Sequence, residues 1–169
     1  MKKVIKNYLA KLQENDKKGF SLVELIIVMA IMAILVGIVA SQVLPYMEKS
    51  RQSKDQQVLS NICTDVVSAI AQADQAVDSF SGVTVEDLSS GAVSNAASGA
   101  AEANKVAPTF KELHGTVTAG DMSSTLKSKL AKDKNYAVLI DYTVSAGSKG
   151  TVKVYVSGDT DNKLTVTSD

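Results

Sequence analysis

The chain has one cysteine and one histidine in 169 residues. A lone cysteine, Cys63, rules out an intrachain disulfide and any metal site built from several thiolates. Cys63 falls on the apolar stripe of a predicted helix, which makes it a buried structural thiol rather than a reactive one. His114 has no second imidazole nearby in sequence, so it reads as a surface loop residue, not as a ligand or a base. A glycine-rich phosphate loop, a nucleophile motif and a paired acid cluster with a base are all missing. Asp141 and Asp133 read as ordinary strand and turn acids. Nothing in this inventory points to an enzyme.

Net charge is also missing: 18 basic residues balance 18 acidic ones. The balance conceals an asymmetry. Lys2, Lys3, Lys6, Lys11, Lys17 and Lys18 face only Glu14 and Asp16, so residues 1–19 carry +4 and the remainder −4. An acidic body argues against nucleic-acid binding by the head through a general basic surface. The length fits one domain.

Charge is absent altogether from Leu25 to Met47, a run of 23 residues. As a helix rising about 1.5 Å per residue, such a run crosses a bilayer. Ile26, Ile27, Val28, Met29, Ile31, Met32, Ile34, Leu35, Val36, Ile38 and Val39 leave it no polar face, which suits lipid or the inside of an assembly. Three readings compete. A cleaved secretory signal is disfavoured by the length of the run and by the poor small-residue site at Val39-Ala40-Ser41. A plain signal anchor with residues 1–19 in the cytoplasm suits the lysines. It leaves Glu24, an acid at the start of the run, without a purpose, although a buried acid in lipid costs a few kcal/mol. An anchor that is clipped and then drawn into a polymer keeps the same orientation and gives Gly19 and Glu24 a task.

Lys17-Lys18-Gly19-Phe20-Ser21-Leu22-Val23-Glu24 resembles the class III signal of type IV pilins and type II secretion pseudopilins. The likeness extends to about Gln42. It implies that a prepilin peptidase cuts between Gly19 and Phe20 and methylates the new Phe20 amine. It also makes Glu24 the assembly acid. The chemistry agrees with that assignment. Glycine lets a protease hold the scissile backbone closely. A Phe20 amine and a Glu24 carboxylate buried as a pair cost far less than either alone. A helix dipole also favours an anion at Glu24. Many relatives have a proline two-thirds along the apolar helix. Here Gly37 and Ser41 occupy that neighbourhood and Pro45 lies further on, where a kink is expected. In the leader, Val4, Ile5, Tyr8, Leu9 and Leu12 recur at helical spacing among lysines, which suits a short helix on the inner membrane face.

Beyond the run the pattern becomes amphipathic. Leu59, Ile62, Val66, Ile70, Ala73, Val77 and Phe80 recur every three or four residues. Arg51, Lys54, Asp55, Gln56, Asp65, Asp74 and Asp78 lie mostly off the stripe. One helix over roughly 21–80 follows, ended by Ser81-Gly82. Residues 81–120, rich in Ala, Gly and Ser, read as an exposed loop with short helical turns. Thr109-Phe110-Lys111-Glu112 reads as a capping box, and Ser123–Leu130 as a short helix whose lysines are a solvated face. Strands are expected over Tyr136–Val144, around Val152, Val154 and Val156, and around Leu164 and Val166. Short loops make them an antiparallel meander covered by the Leu59–Phe80 stripe. Asp159-Thr160-Asp161-Asn162 places oxygens at calcium-like spacing, with Asp159 and Asp161 as ligands. An Asp/Asn-rich turn explains the same residues and is the preferred reading.

The expected chain is therefore α+β and pilin-like. Residues 1–19 form a cleaved leader, 20–47 a transmembrane and assembly helix, 48–80 its amphipathic continuation and 81–169 the head. The expected function is a type IV pilus subunit serving adhesion, motility or DNA uptake. The alternatives are a pseudopilin of a type II secretion system and a membrane-anchored binding domain that never polymerises. Expected partners are a prepilin peptidase, other pilin subunits and inner-membrane assembly machinery. No cofactor is expected beyond the calcium considered above.

Overall fold

The computed structural model describes residues 20–94, 96, 98–132, 137–145 and 150–168. The leader, Gly19, Asp133, Tyr136 and loop residues 146–149 lie outside the described residues. The chain divides into two units, Met1–Pro45 and Tyr46–Asp169. One helix, α1, covers Leu22–Ala71 and contributes to both.

In the first unit, α1 is apolar on every side, and every described residue there is exposed. Its start is built by Ser21 and Glu24. The Ser21 hydroxyl accepts from Val23 N at 3.3 Å and the Glu24 carboxylate accepts from Ser21 N at 2.9 Å. These two bonds cap the first turn, satisfying amides that a helix leaves free there.

In the second unit, α1 buries Asp55, Leu59, Ile62, Cys63, Val66 and Ala69. The spacing of three and four places them along one stripe. That stripe lies in one core with an antiparallel sheet of order β1-β2-β3-β4. The strands are β1 (Phe80–Thr84), β2 (Val138–Thr143), β3 (Thr151–Val156) and β4 (Thr165–Thr167). Val138, Ile140 and Tyr142 alternate inward from β2, and Val152, Val154 and Val156 from β3. A Val, Leu, Ile or Phe side chain buried this fully contributes about 1.5–3 kcal/mol. Between β1 and β2 lie α2 (Val85–Ser90), α3 (Ala100–His114), α4 (Ala119–Thr125) and α5 (Lys129–Lys132). The fold is α+β, a long helix on a small antiparallel sheet, as the sequence predicts.

Several expectations need correction. The helix ends at Ala71, not near residue 80, and Phe80 begins a strand. Ser81 and Gly82 therefore do not cap a helix. They belong to β1, where the register shifts between Phe80 and Val83 and Gly82 takes φ 68°. Polar side chains satisfy the backbone that leaves the helix. Lys105 Nζ donates to Ala76 O at 2.9 Å and Glu102 accepts from Asp78 N at 2.8 Å. Pairing Phe80 with Tyr142 outweighs continued helical spacing. Among the described residues the sheet accordingly has four strands, not three.

The described residues of 81–120 are not an exposed loop. They hold most of β1, all of α2 and the 15-residue α3, which buries Ala103, Val106, Ala107 and Phe110. Thr109 lies inside α3, one residue after Pro108, and caps nothing. The capping box is at Thr118 and Asp121, at the start of α4. Gly99 precedes α3 with φ 77°, and a Cβ there would sit 2.7 Å from Ser79 O, so the close approach needs glycine. The expected helix over Ser123–Leu130 is two short ones, broken at 126–128.

Candidate functional site

The candidate site is the start of α1. Phe20 is 84% exposed and directly precedes the capping pair. Glu24 Oε2 is engaged only by Ser21 N, three residues away. Glu24 is therefore held by its own turn, and its other carboxylate oxygen makes no hydrogen bond among the described residues. Such a group can accept a cation without breaking a tertiary contact. The Ser-x-x-Glu spacing stands in the octet and carries the Glu24 half of this arrangement.

Elsewhere the acids of α1 serve the fold. Asp55 lies on the stripe, not off it, and is 1% exposed. Its two carboxylate oxygens accept from Lys127 N and Ser128 N, each at 2.8 Å. Glu48 accepts from Lys129 N at 2.6 Å. Together they supply acceptors to the amides around the start of α5. His114 is not a loop residue: it ends α3, stacks on Phe110 and brings Nδ1 within 2.6 Å of Asp65 Oδ2. No spacing rule signals that pair, since 49 residues separate its members. Cys63 is buried and donates to Val152 O, and burial pushes its thiol pKa up. An acid thiol poised for reaction would shift the other way.

The 159–162 turn spends its oxygens internally. Asp159 accepts from Asp161 N at 3.3 Å and from Leu164 N at 2.5 Å. Asp161 pairs with Lys163 at 2.6 Å, and that hydrogen bond with the ammonium holds its carboxyl below the usual range. Asn162 adopts φ 53°, which suits an Asx turn. Among the described residues no three His, Cys, Asp or Glu side chains converge as a metal cage. Both Asp159 and Asp161 are thus engaged within the turn.

Only α1, among the described residues, is long and apolar enough to cross a membrane. Residues 15–40 match the family model described as the prokaryotic N-terminal methylation motif. The chain carries the class III signal shared by type IV pilin-like and pseudopilin precursors. No curated protein and no solved structure matches the chain.

Proposed function

We propose that this chain, a bearer of the N-terminal methylation motif, is the structural subunit of a type IV pilus. Its precursor sits in the cytoplasmic membrane with residues 1–19 inside. A prepilin peptidase cuts between Gly19 and Phe20 and methylates the Phe20 amine. Inner-membrane machinery then draws the subunit into an extracellular filament through residues 20–47. The observation that carries this reading is an apolar helix exposed on every side, with one locally held acid at its start. In the filament, the carboxylate of Glu24 meets the Phe20 amine of an adjacent copy. Desolvating either charge alone costs several kcal/mol, so the pair fixes the axial register at which subunits are tolerated.

A pseudopilin would share all of this chemistry. A calcium-binding C-terminal loop is what the resemblance allows in a pseudopilin, and residues 159–162 have that oxygen spacing. Their carboxylates are engaged within the turn, which supports the pilus. An anchored binding domain that never polymerises would have no use for the Phe20 amine.

Glu24→Ala tests the assembly step. The variant should be inserted and processed but yield no filaments, seen by immunolabelled electron microscopy. Filaments at parental abundance would end the pairing argument. Mass spectrometry of the mature chain should find methylated Phe20 at the N-terminus, and any other first residue refutes the cleavage site. Filament antigen confined to the cell envelope at native expression would transfer the chain to the pseudopilins.

A further inference from the structure

Glu48 and Asp55 do more than close α1 against α5. By holding the amides of Lys127, Ser128 and Lys129, they bring a lysine-rich segment from some seventy residues away to the face of α1 that bears Arg51 and Lys54. Arg51, Lys54, Lys127, Lys129 and Lys132 surround a recess of about 460 Å³. Among the described residues the only acid lining it is Glu48, which is already engaged by Lys129 N and lies 3.8 Å from Arg51. All five basic side chains are exposed, and the four lysines form no ion pair among the described residues. Five like charges gathered at one place repel one another, so the arrangement calls for an external anion.

The position along α1 indicates which anion. Met47 ends the uncharged run, and Arg51 and Lys54 follow it by four and seven residues. At about 1.5 Å per residue they stand roughly 6 and 10 Å beyond the hydrocarbon edge. The headgroup layer occupies about 5–8 Å on each side of the core, so Arg51 stands within it and Lys54 just beyond its outer edge. Tyr46 is 70% exposed at the end of the run, with Lys49 Nζ 5.9 Å from its ring centroid. A tyrosine beside a lysine at that boundary is an interfacial anchor.

We infer that the recess formed by Arg51, Lys54, Lys127, Lys129 and Lys132 docks an anionic phospholipid headgroup on the outer face of the membrane that holds the precursor. The contact seats the base of the head on the bilayer until the subunit is extracted. Each basic residue near an anionic surface strengthens binding roughly fivefold. The inference rests on the membrane reading given above.

Full-length chain in nanodiscs of equal phosphatidylcholine and phosphatidylglycerol, released for native mass spectrometry, tests it. The parent should retain phosphatidylglycerol in clear excess. The combined change Lys127→Gln, Lys129→Gln, Lys132→Gln should lower that excess about tenfold or more. Arginine at the same three positions should preserve it. The backbone amides, not the lysine side chains, hold Glu48 and Asp55, so circular dichroism of both variants should match the parent. Equal retention of the two lipids by the parent, or no effect of the glutamines, overturns the inference. Loss of the preference on adding inorganic phosphate reassigns the recess to a free anion and also overturns it. So does a dimer that the glutamine changes abolish, since the occupant is then a second copy. A chain that fails to insert into nanodiscs overturns the membrane reading together with the inference, whereas insertion without lipid preference overturns the inference alone.

Discussion

The two halves of α1 use their carboxylates differently. In residues 22–45 the one acid, Glu24, bonds to its own first turn, and no described side chain is buried. In residues 46–71 three acids reach across the chain. Glu48 holds Lys129 N, Asp55 holds Lys127 N and Ser128 N, and Asp65 meets His114. The apolar residues divide in the same way, into a stripe buried in the core and a surface exposed all round. A helix segment whose acids have distant partners within the chain is completed by folding. A segment whose acid has only a local partner, and whose apolar surface has none among the described residues, is not completed by the described fold, and the proposed function assigns its completion to lipid or to other copies.

The largest expected effect tests that division directly. Leu59→Ala removes a fully buried side chain from the core and should destabilise the head by about 2–5 kcal/mol. Ile34→Ala removes an exposed one and should leave the thermal midpoint of the head unchanged while lowering filament yield. Thermal unfolding of both variants decides the matter. A head destabilised equally by the two changes would erase the distinction between the halves.

Asp55→Ala comes next. It leaves two amides, Lys127 N and Ser128 N, without their acceptor. A buried polar group stripped of its partner costs about 1–3 kcal/mol. Denaturant unfolding should show that loss, and hydrogen exchange should speed up at residues 127–129 before elsewhere. A global loss without local opening would mean that Asp55 does not tether this segment.

Sequence legibility followed the same division. The octet, the uncharged run and the alternation of β2 and β3 are local patterns, and the sequence displays them in full. Leu59, Ile62 and Val66 were likewise visible as a stripe. Several misreadings occurred where a distant partner decides. Val77 and Phe80 continue the helical spacing, yet pairing of Phe80 with Tyr142 makes a strand. Ala103 and Ala107 are core residues of α3, but small side chains in an Ala/Gly/Ser-rich stretch carry little hydrophobic signal. Asp55 looked like a solvated charge because its acceptors' donors lie over seventy residues away.

Asp121 offers a smaller test, since it is a local capping acid like Glu24 but sits in the head. Its carboxylate accepts from Thr118 N at 2.9 Å and from the Thr118 hydroxyl at 2.8 Å. Those bonds, the backbone one first, hold its pKa below the usual carboxylate range. A folded-state pKa below the unfolded one adds stability above the unfolded value, about 3.9. That stability disappears as pH falls through the folded value. The parent should therefore lose more of its thermal midpoint on acidification than Asp121→Asn, by a small margin because the group is exposed. Identical pH profiles would remove the cap from the account of α4.

The smallest expected effect is none, and it tests whether the head is complete in itself. The 159–162 turn has the oxygen spacing of a cation site, so it is where the head most resembles a surface awaiting a partner. Asp159 is engaged by the Asp161 and Leu164 amides, Asp161 by Lys163, and Gln56 donates to Lys163 O at 2.7 Å, tying the turn to α1. A calcium ion takes six to eight oxygens and would have to break these bonds and displace an ammonium. Millimolar calcium should leave the melting curve of the head where it was. A concentration-dependent rise, abolished by Asp159→Asn, would show that the turn rearranges to bind the ion. Folding alone would then leave the head incomplete, as it leaves the first half of α1.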